Sequence, residues 1–244
     1  MKNLKFLFAI LSFSTIILSG CFDDDNRNPF GCLDADGPIS TSTLSMADFT
    51  GVKLAMDAHV ILTQGDEQSV VVEGKSDIID ELDLDIHNGV WTIKTDRCVR
   101  NVDELTFFIT IPILREASVT GSGDIRSDNL FVENDVEFNI SGSGEIDMAI
   151  EADDLDLNIS GSGKIKLEGF ADEIDASISG SGDIRAFNLP VRVCDINIAG
   201  SGDAEVTVSE ILDVNIAGSG DVYFKGSPIL DVSITGSGDV IDAN

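Results

Sequence analysis

One three-residue phrase, Gly-Ser-Gly, recurs seven times in the second half of this 244-residue chain, starting at Gly121, Gly142, Gly161, Gly180, Gly200, Gly218 and Gly236. The intervals are 21, 19, 19, 20, 18 and 18 residues. So even a period means a stack of similar units, none of which can bury a core alone. About 19 residues per unit is too few for a strand–helix–strand unit, which needs ~30. It suits an all-β coil lying parallel on the next.

Aligning the copies on the first Gly separates the two sides of each strand. Two residues before it stand Val119, Ile140, Ile159, Ile178, Ile198, Ile216 and Ile234. Four before stand Ala117, Phe138, Leu157, Ala176, Ile196, Val214 and Val232, and six before, from the second copy on, Val136, Leu155, Ile174, Cys194, Leu212 and Leu230. A period of two sends these columns to a common interior. The odd columns then face solvent: Glu116, Glu137, Asp156, Asp175, Asp195, Asp213 and Asp231 five before the Gly, and Ser118, Asn139, Asn158, Ser177, Asn197, Asn215 and Ser233 three before.

Each coil therefore reads as a strand, a sharp Gly-Ser-Gly corner, a second short strand and a looser return. The fold class expected is all-β, a parallel β-helix with seven corners. It is right-handed by the usual crossover preference. At ~4.8 Å per coil, six intervals make a rod of roughly 30 Å. The glycines relieve a corner where a Cβ would clash or φ must be positive.

The chain divides into four parts: 1–20, 21–42, 43–115 and 116–244. In the first, Lys2 and Lys5 precede an apolar stretch, Phe6 to Leu18, too short for a transmembrane helix. Its end, Leu18-Ser19-Gly20-Cys21, resembles the lipobox of bacterial lipoprotein signal peptides. That resemblance implies cleavage before Cys21, acylation of Cys21, and an outer-membrane lipoprotein of the cell envelope facing the periplasm or the cell surface. The plainer reading is a secretory signal with a chance cysteine. The polar, turn-rich stretch to residue 42 reads as a flexible tether. Its run Asp23-Asp24-Asp25 resembles the surface-export signal of some envelope lipoproteins, and a solvated spacer reads as well.

From Thr43 to Ile111 apolar residues alternate, as in Val52, Leu54, Met56 and in Leu105, Phe107, Ile109, Ile111. This predicts a mixed or antiparallel β region able to cap the first coil. Asn88-Gly89 is a tight-hairpin signal, and Pro112 closes the last strand.

The repeats, with Phe108-Ile109-Thr110-Ile111-Pro112-Ile113-Leu114 running into Val119-Thr120-Gly121-Ser122-Gly123-Asp124, resemble the putative auto-transporter adhesin family, or head GIN domain. The resemblance covers roughly Thr43 to Val240. It implies the fold and a binding role, with no catalytic residues to carry over.

The formal charge is −29, from 44 acidic and 15 basic residues. Loss of Lys2 and Lys5 would bring it to −31 (13 − 44). Nucleic acid is excluded as a partner, because phosphate binding needs clustered Lys and Arg. Cations, cationic proteins and neutral glycans are compatible.

The candidate ligand faces are two charged columns. One is the acidic column with Asp156, Asp175, Asp195, Asp213 and Asp231. The other follows the corners: Asp124, Glu145, Lys164, Asp183, Asp203, Asp221 and Asp239. Hard oxygen ligands suit Ca²⁺, but such sites need about six converging oxygens, and a solvated face that resists aggregation explains both columns. The Asn/Ser column reads as a structural ladder. His59 and His87, the only histidines, make no triad or zinc site. Cys194 fills an apolar column, while Cys32 and Cys98 can pair in an oxidising compartment.

The favoured function is a non-enzymatic, lipid-anchored envelope solenoid displaying a binding or adhesion surface for a glycan or protein ligand. Two alternatives stand beside it. One is a polysaccharide lyase-like enzyme, which needs a cleft with sugar-stacking aromatics. The other is a self-assembling structural protein, in which coil edges pair between copies.

Overall fold

The computed structural model describes residues 31–244, apart from 101, 103 and 104. The leader, Cys21 and the acidic run at 23–25 lie outside the described residues. In chain order, the amino-terminal region holds β1 (Leu33–Asp34), β2 (Ile39–Leu44), β3 (Gly51–Leu54), β4 (His59–Gln64), β5 (Ser69–Lys75), a helical turn α1 (Ser76–Ile79), β6 (Ile86–His87), β7 (Val90–Ile93), β8 (Val99–Arg100) and β9 (Thr106–Ile111). The repeats hold β10 (Glu116–Gly121), β11 (Asp124–Ser127), β12 (Phe131–Val132), β13 (Asp135–Gly142), β14 (Glu145–Gly161), β15 (Lys164–Gly180), β16 (Asp183–Gly200), β17 (Ala204–Gly218), β18 (Val222–Gly226), β19 (Ile229–Gly236) and β20 (Val240–Asp242).

The repeat strands pair in parallel, each coil on the next, with the Gly-Ser-Gly corners in register: Gly121 with Gly142, Gly142 with Gly161, and so on to Gly218 with Gly236. The protein is a parallel β-solenoid. The three apolar columns of the inner coils are buried; Leu212, Val214 and Ile216, for example, are 0–2% exposed. Burying each such side chain stabilises the fold by about 1.5–3 kcal/mol before conformational entropy is counted.

Two positions show why the corner is Gly-Ser-Gly. Gly180 has φ +130°, and a Cβ there would strike the backbone oxygen of Gly161 in the coil before. At Gly182 the obstacles are the buried side chain of Ile159 and the oxygen of Gly163. The first glycine answers to backbone angle and rung spacing, the second to core volume. The serine between them is exposed in the inner coils, and its N–H bonds the coil before, as Ser181 N does with Gly161 O at 2.8 Å.

The structure departs from the expected coil in its return. Strands β14 to β17 run 15–18 residues without a loop. In β14 the buried residues are Ile146, Met148, Ile150 and Ala152, then Leu155, Leu157 and Ile159. A single parity slip at Asp153-Asp154 bends the strand while pairing continues around it. Where coil lengths differ, the register shifts at Ala186/Pro190 and Val191/Val193 absorb the extra residues, as bulges do.

The amino-terminal region is mixed, and it does more than cap. β3 lies between β7 and β10, and β4 between β9 and β11, all in parallel. β3 with β4, and β7 with β9, are thus two more rungs, visited out of order: the chain lays one rung, goes past it to lay an outer one, then returns to begin the repeats on the inner side. The antiparallel part is β5 on β9, β2 on β5, and the hairpin β6–β7. That hairpin turns at Asn88 and Gly89, both with positive φ, as a two-residue turn of this hand requires. Trp91 and Phe107 fill this end of the core edge to face, with ring centroids 5.7 Å apart.

Strand structure also starts earlier than the tether boundary expected at residue 42. The β-branched alternation of Ser40-Thr41-Ser42-Thr43 pairs antiparallel with β5. A disulfide joins Cys32 to Cys98, beside the parallel pair β1–β8.

Candidate functional site

Each coil presents two outward faces that meet at the corner. The strands before the corner carry the acidic and Asn/Ser columns; the strands after it carry the mixed-charge column.

On the first face the acidic residues are stacked in register from Glu116 and Glu137 through Asp156, Asp175, Asp195 and Asp213 to Asp231. No basic residue occurs in the outward columns five, three and one before the corner of the seven repeats. The consequence is visible in the acidities. Burial, then Asp175, Glu137, Asp154 and Asp135, push Asp156 above the ordinary carboxyl range. Burial, then Asp213 and Asp175, do the same to Asp195, against a hydrogen bond from Asn197.

The amide ladder is formed only in part. Asn139 Nδ2 donates to Ser118 Oγ at 3.4 Å, and Asn158 Nδ2 to Asn139 Oδ1 at 3.2 Å. In the later coils the amides turn along their own strand: Asn197 Nδ2 donates to Asp195 Oδ1 at 2.7 Å, and Asn215 Nδ2 to Asp213 Oδ1 at 3.2 Å. Over these coils runs a shallow groove of about 330 Å³, floored by Asn197, Asn215, Ser179 and Ser233 among others.

The same face holds a site that the sequence columns missed. Two residues before the acidic column stand Asp135, Asp154 and Glu173, in register with one another. With Leu155, Asp156 and Asp175 they line a recess of about 320 Å³. Five carboxylates from three successive coils meet there. Arg115 reaches only its rim, 3.6 Å from Asp135. The signal was present in the same alignment, seven residues before each Gly, but this column turns apolar at Val193, Ile211 and Ile229 and so does not read as acidic throughout.

On the second face the charges are mostly answered. Arg126 lies 2.9 Å from Asp124, Lys166 2.6 Å from Asp147, and Arg185 3.4 Å from Asp183 and 4.0 Å from Glu205. His59 also bonds Asp124 through Nδ1. Lys164 stands in register between Glu145 and Asp183. Further along, Asp203 Oδ1 accepts the Asp221 N–H at 2.9 Å and Asp221 Oδ1 the Asp239 N–H at 2.9 Å. These two corner carboxylates stitch coil to coil.

Among the described residues no group of three or more His, Cys, Asp or Glu is placed to hold a metal ion. His87 lies in the β6–β7 hairpin, in a strand that does not pair with that of His59. Trp91 is fully buried, so it offers no surface for a sugar to stack on. Cys194 is buried, and burial pushes its thiol far up. Among the described residues no helix is long and apolar enough to cross a membrane.

Parallel coils, a polar outer wall and columns of repeated side chains make this a β-solenoid whose distinctive features are displayed on its surface. Residues 48–228 match the family described as putative auto-transporter adhesin, head GIN domain, and the chain belongs to it. Solved structures share the fold. A putative adhesin from Bacteroides fragilis is 23% identical, covering 86% of this chain and 99% of its own, with a TM-score of 0.81. A protein from Parabacteroides distasonis described as a putative lipid binding protein is 25% identical, covering 87% and 100%, at 0.72. A putative adhesin from the same organism is 25% identical, covering 86% and 99%, at 0.71. No match is found among curated proteins.

Proposed function

We propose that the protein is a non-enzymatic envelope solenoid, held to a membrane through acylated Cys21, whose first face is a binding surface for a basic protein segment. The single observation that carries this is the acidic recess of Asp135, Asp154, Asp156, Glu173 and Asp175. Of the chain's cations Arg115 approaches it, and only at the rim, 3.6 Å from Asp135. Burial and the neighbouring carboxylates hold Asp156 above the ordinary carboxyl range. An Arg or Lys side chain relieves that repulsion, whereas an anion would add to it. An extended basic segment crossing the coils would meet a carboxylate about every 4.8 Å. The absence of a metal-holding group among the described residues favours an organic cation over Ca²⁺. Membership of an adhesin family supports a binding role and a place in the cell envelope. The motif before Cys21 supports the anchor.

The test is calorimetric titration of the unlipidated protein with an oligo-arginine peptide at low and physiological salt, beside the Asp156→Asn/Asp175→Asn variant. Binding that weakens about tenfold in the variant and again with salt supports the reading. Binding that ignores both substitutions, or equal binding of a neutral peptide, overturns it.

A further inference from the structure

The two ends of the solenoid are finished differently. At the amino-terminal end the interior residues are sealed: Trp91, Ile93 and Phe107 are 0% exposed. The outermost strand there, β2, runs antiparallel and carries Ser40, Thr41, Ser42 and Thr43. A short polar edge of this kind resists pairing with another chain.

At the other end β19 pairs with β17 on one side and has no partner on its other side among the described residues. Its interior positions continue the buried columns of Leu212, Val214 and Ile216, yet Leu230 is 44% exposed, Val232 41% and Ile234 40%. Ile229 beside them is 75% exposed. This rung thus shows an apolar end face beside a row of free backbone donors and acceptors. A bare strand edge over an exposed core is a pairing template.

We infer that this end face docks against the same face of a second copy, so that two solenoids join tail to tail about a twofold axis. The occupant follows from the shape of the edge. What fits β19 is another strand carrying alternate apolar residues, and the sealed polar end of the molecule carries none. Head-to-tail stacking is thereby excluded, and assembly closes at two copies because β19 is then used up.

The register follows from parity and charge. An antiparallel pair that keeps apolar residues on the interior side must place residues whose numbers sum to an even value opposite one another. Centring on Val232 sets Val232 against its own copy, Leu230 against Ile234 and Ile229 against Thr235. It also sets Asp231 against Ser233. The acidic columns of the two copies therefore do not meet carboxylate to carboxylate, as they would if the same strand were repeated in parallel.

Residues 32–244 form one compact unit, so the unlipidated chain, residues 22–244, is the one to measure. Light scattering should give twice the chain mass at micromolar concentration, and Val232→Lys should give the monomer mass with an unchanged circular dichroism spectrum. A second variant tests the register. With Cys32 and Cys98 bridged and Cys194 buried, Val232→Cys adds the one accessible thiol and should oxidise to a covalent dimer, while Ser233→Cys, set opposite Asp231, should cross-link at least about tenfold more slowly. A wild-type protein that stays monomeric overturns the inference. So does a Val232→Lys protein that still dimerises, a ladder of higher oligomers, or equal cross-linking at 232 and 233. None of these outcomes depends on whether a basic peptide binds the acidic recess.

Discussion

The two outward faces are built from the same coils, yet they treat charge in opposite ways. After the corner, Arg126, Lys166 and Arg185 each sit within 3.4 Å of a carboxylate, and Asp203 and Asp221 accept backbone N–H groups. Before the corner, carboxylates stack on carboxylates and the pKa values of Asp156 and Asp195 rise. Net charge alone therefore says little about this protein. What matters is where the cations stand: three pair with carboxylates on the wall after the corner, while on the other Arg115 reaches only the rim of the recess and no basic residue occurs in the outward columns five, three and one before the corner. That wall is self-repelling in isolation, whereas the other answers much of its charge internally.

The corner where the faces meet should be the most sensitive point, since it sets the coil spacing for both. Gly180→Ala combines a positive φ with a clash against the Gly161 oxygen and should cost on the order of 3–5 kcal/mol in denaturant unfolding. Gly121→Ala has the same kind of φ, +117°, but nothing within 4 Å of the new Cβ, and should cost about 1–2 kcal/mol. Equal losses at the two would remove the claim that rung spacing is held there.

Next in size is the paired wall. Lys166→Ala leaves Asp147 without its 2.6 Å partner and should cost about 0.5–1 kcal/mol, since the pair is part-exposed. Added salt should shrink this difference, while stabilising the wild type through screening on the unpaired wall.

The pH dependence separates the acidic column from the amino-terminal region by sign. Asp156 and Asp195 have raised pKa values when folded, so their contribution is full below the unfolded value of about 3.9 and is lost as pH rises through the folded value. Asp77 and Asp83 behave oppositely. Burial alone would raise Asp77, but the N–H groups of Asp36 and Gly37 outweigh it. The N–H of Asp85 and the ammonium of Lys94 lower Asp83. Their contribution is present above about 3.9 and is lost as pH falls through the lowered folded values. Thermal unfolding from neutral pH down to about 4 should therefore show a gain that the Asp156→Asn/Asp195→Asn protein lacks.

Much of this was legible in the sequence, because a solenoid repeats its constraints. The inward columns, the corner glycines and the Asn88-Gly89 hairpin all follow from local rules that the structure obeys. What was not legible depended on contacts between coils. The placement of β7 and β9 outside β3 and β4 is a choice of stacking order that alternation cannot express. Whether an amide bonds the neighbouring coil, as Asn158 does, or its own strand, as Asn197 does, is not written in a column that is Asn in both. The acidic recess was hidden because its column is acidic in only three coils and apolar in the later ones.

The contrast between the walls is tested most directly by removing one carboxylate from each and measuring stability by chemical unfolding at neutral pH and low salt. Asp195→Asn takes a charge out of the repelling column and should stabilise the protein by a few tenths of a kcal/mol, whereas Asp183→Asn breaks its pair with Arg185 and should destabilise it by about as much. Opposite signs support two differently built faces. Changes of the same sign at both positions would contradict them.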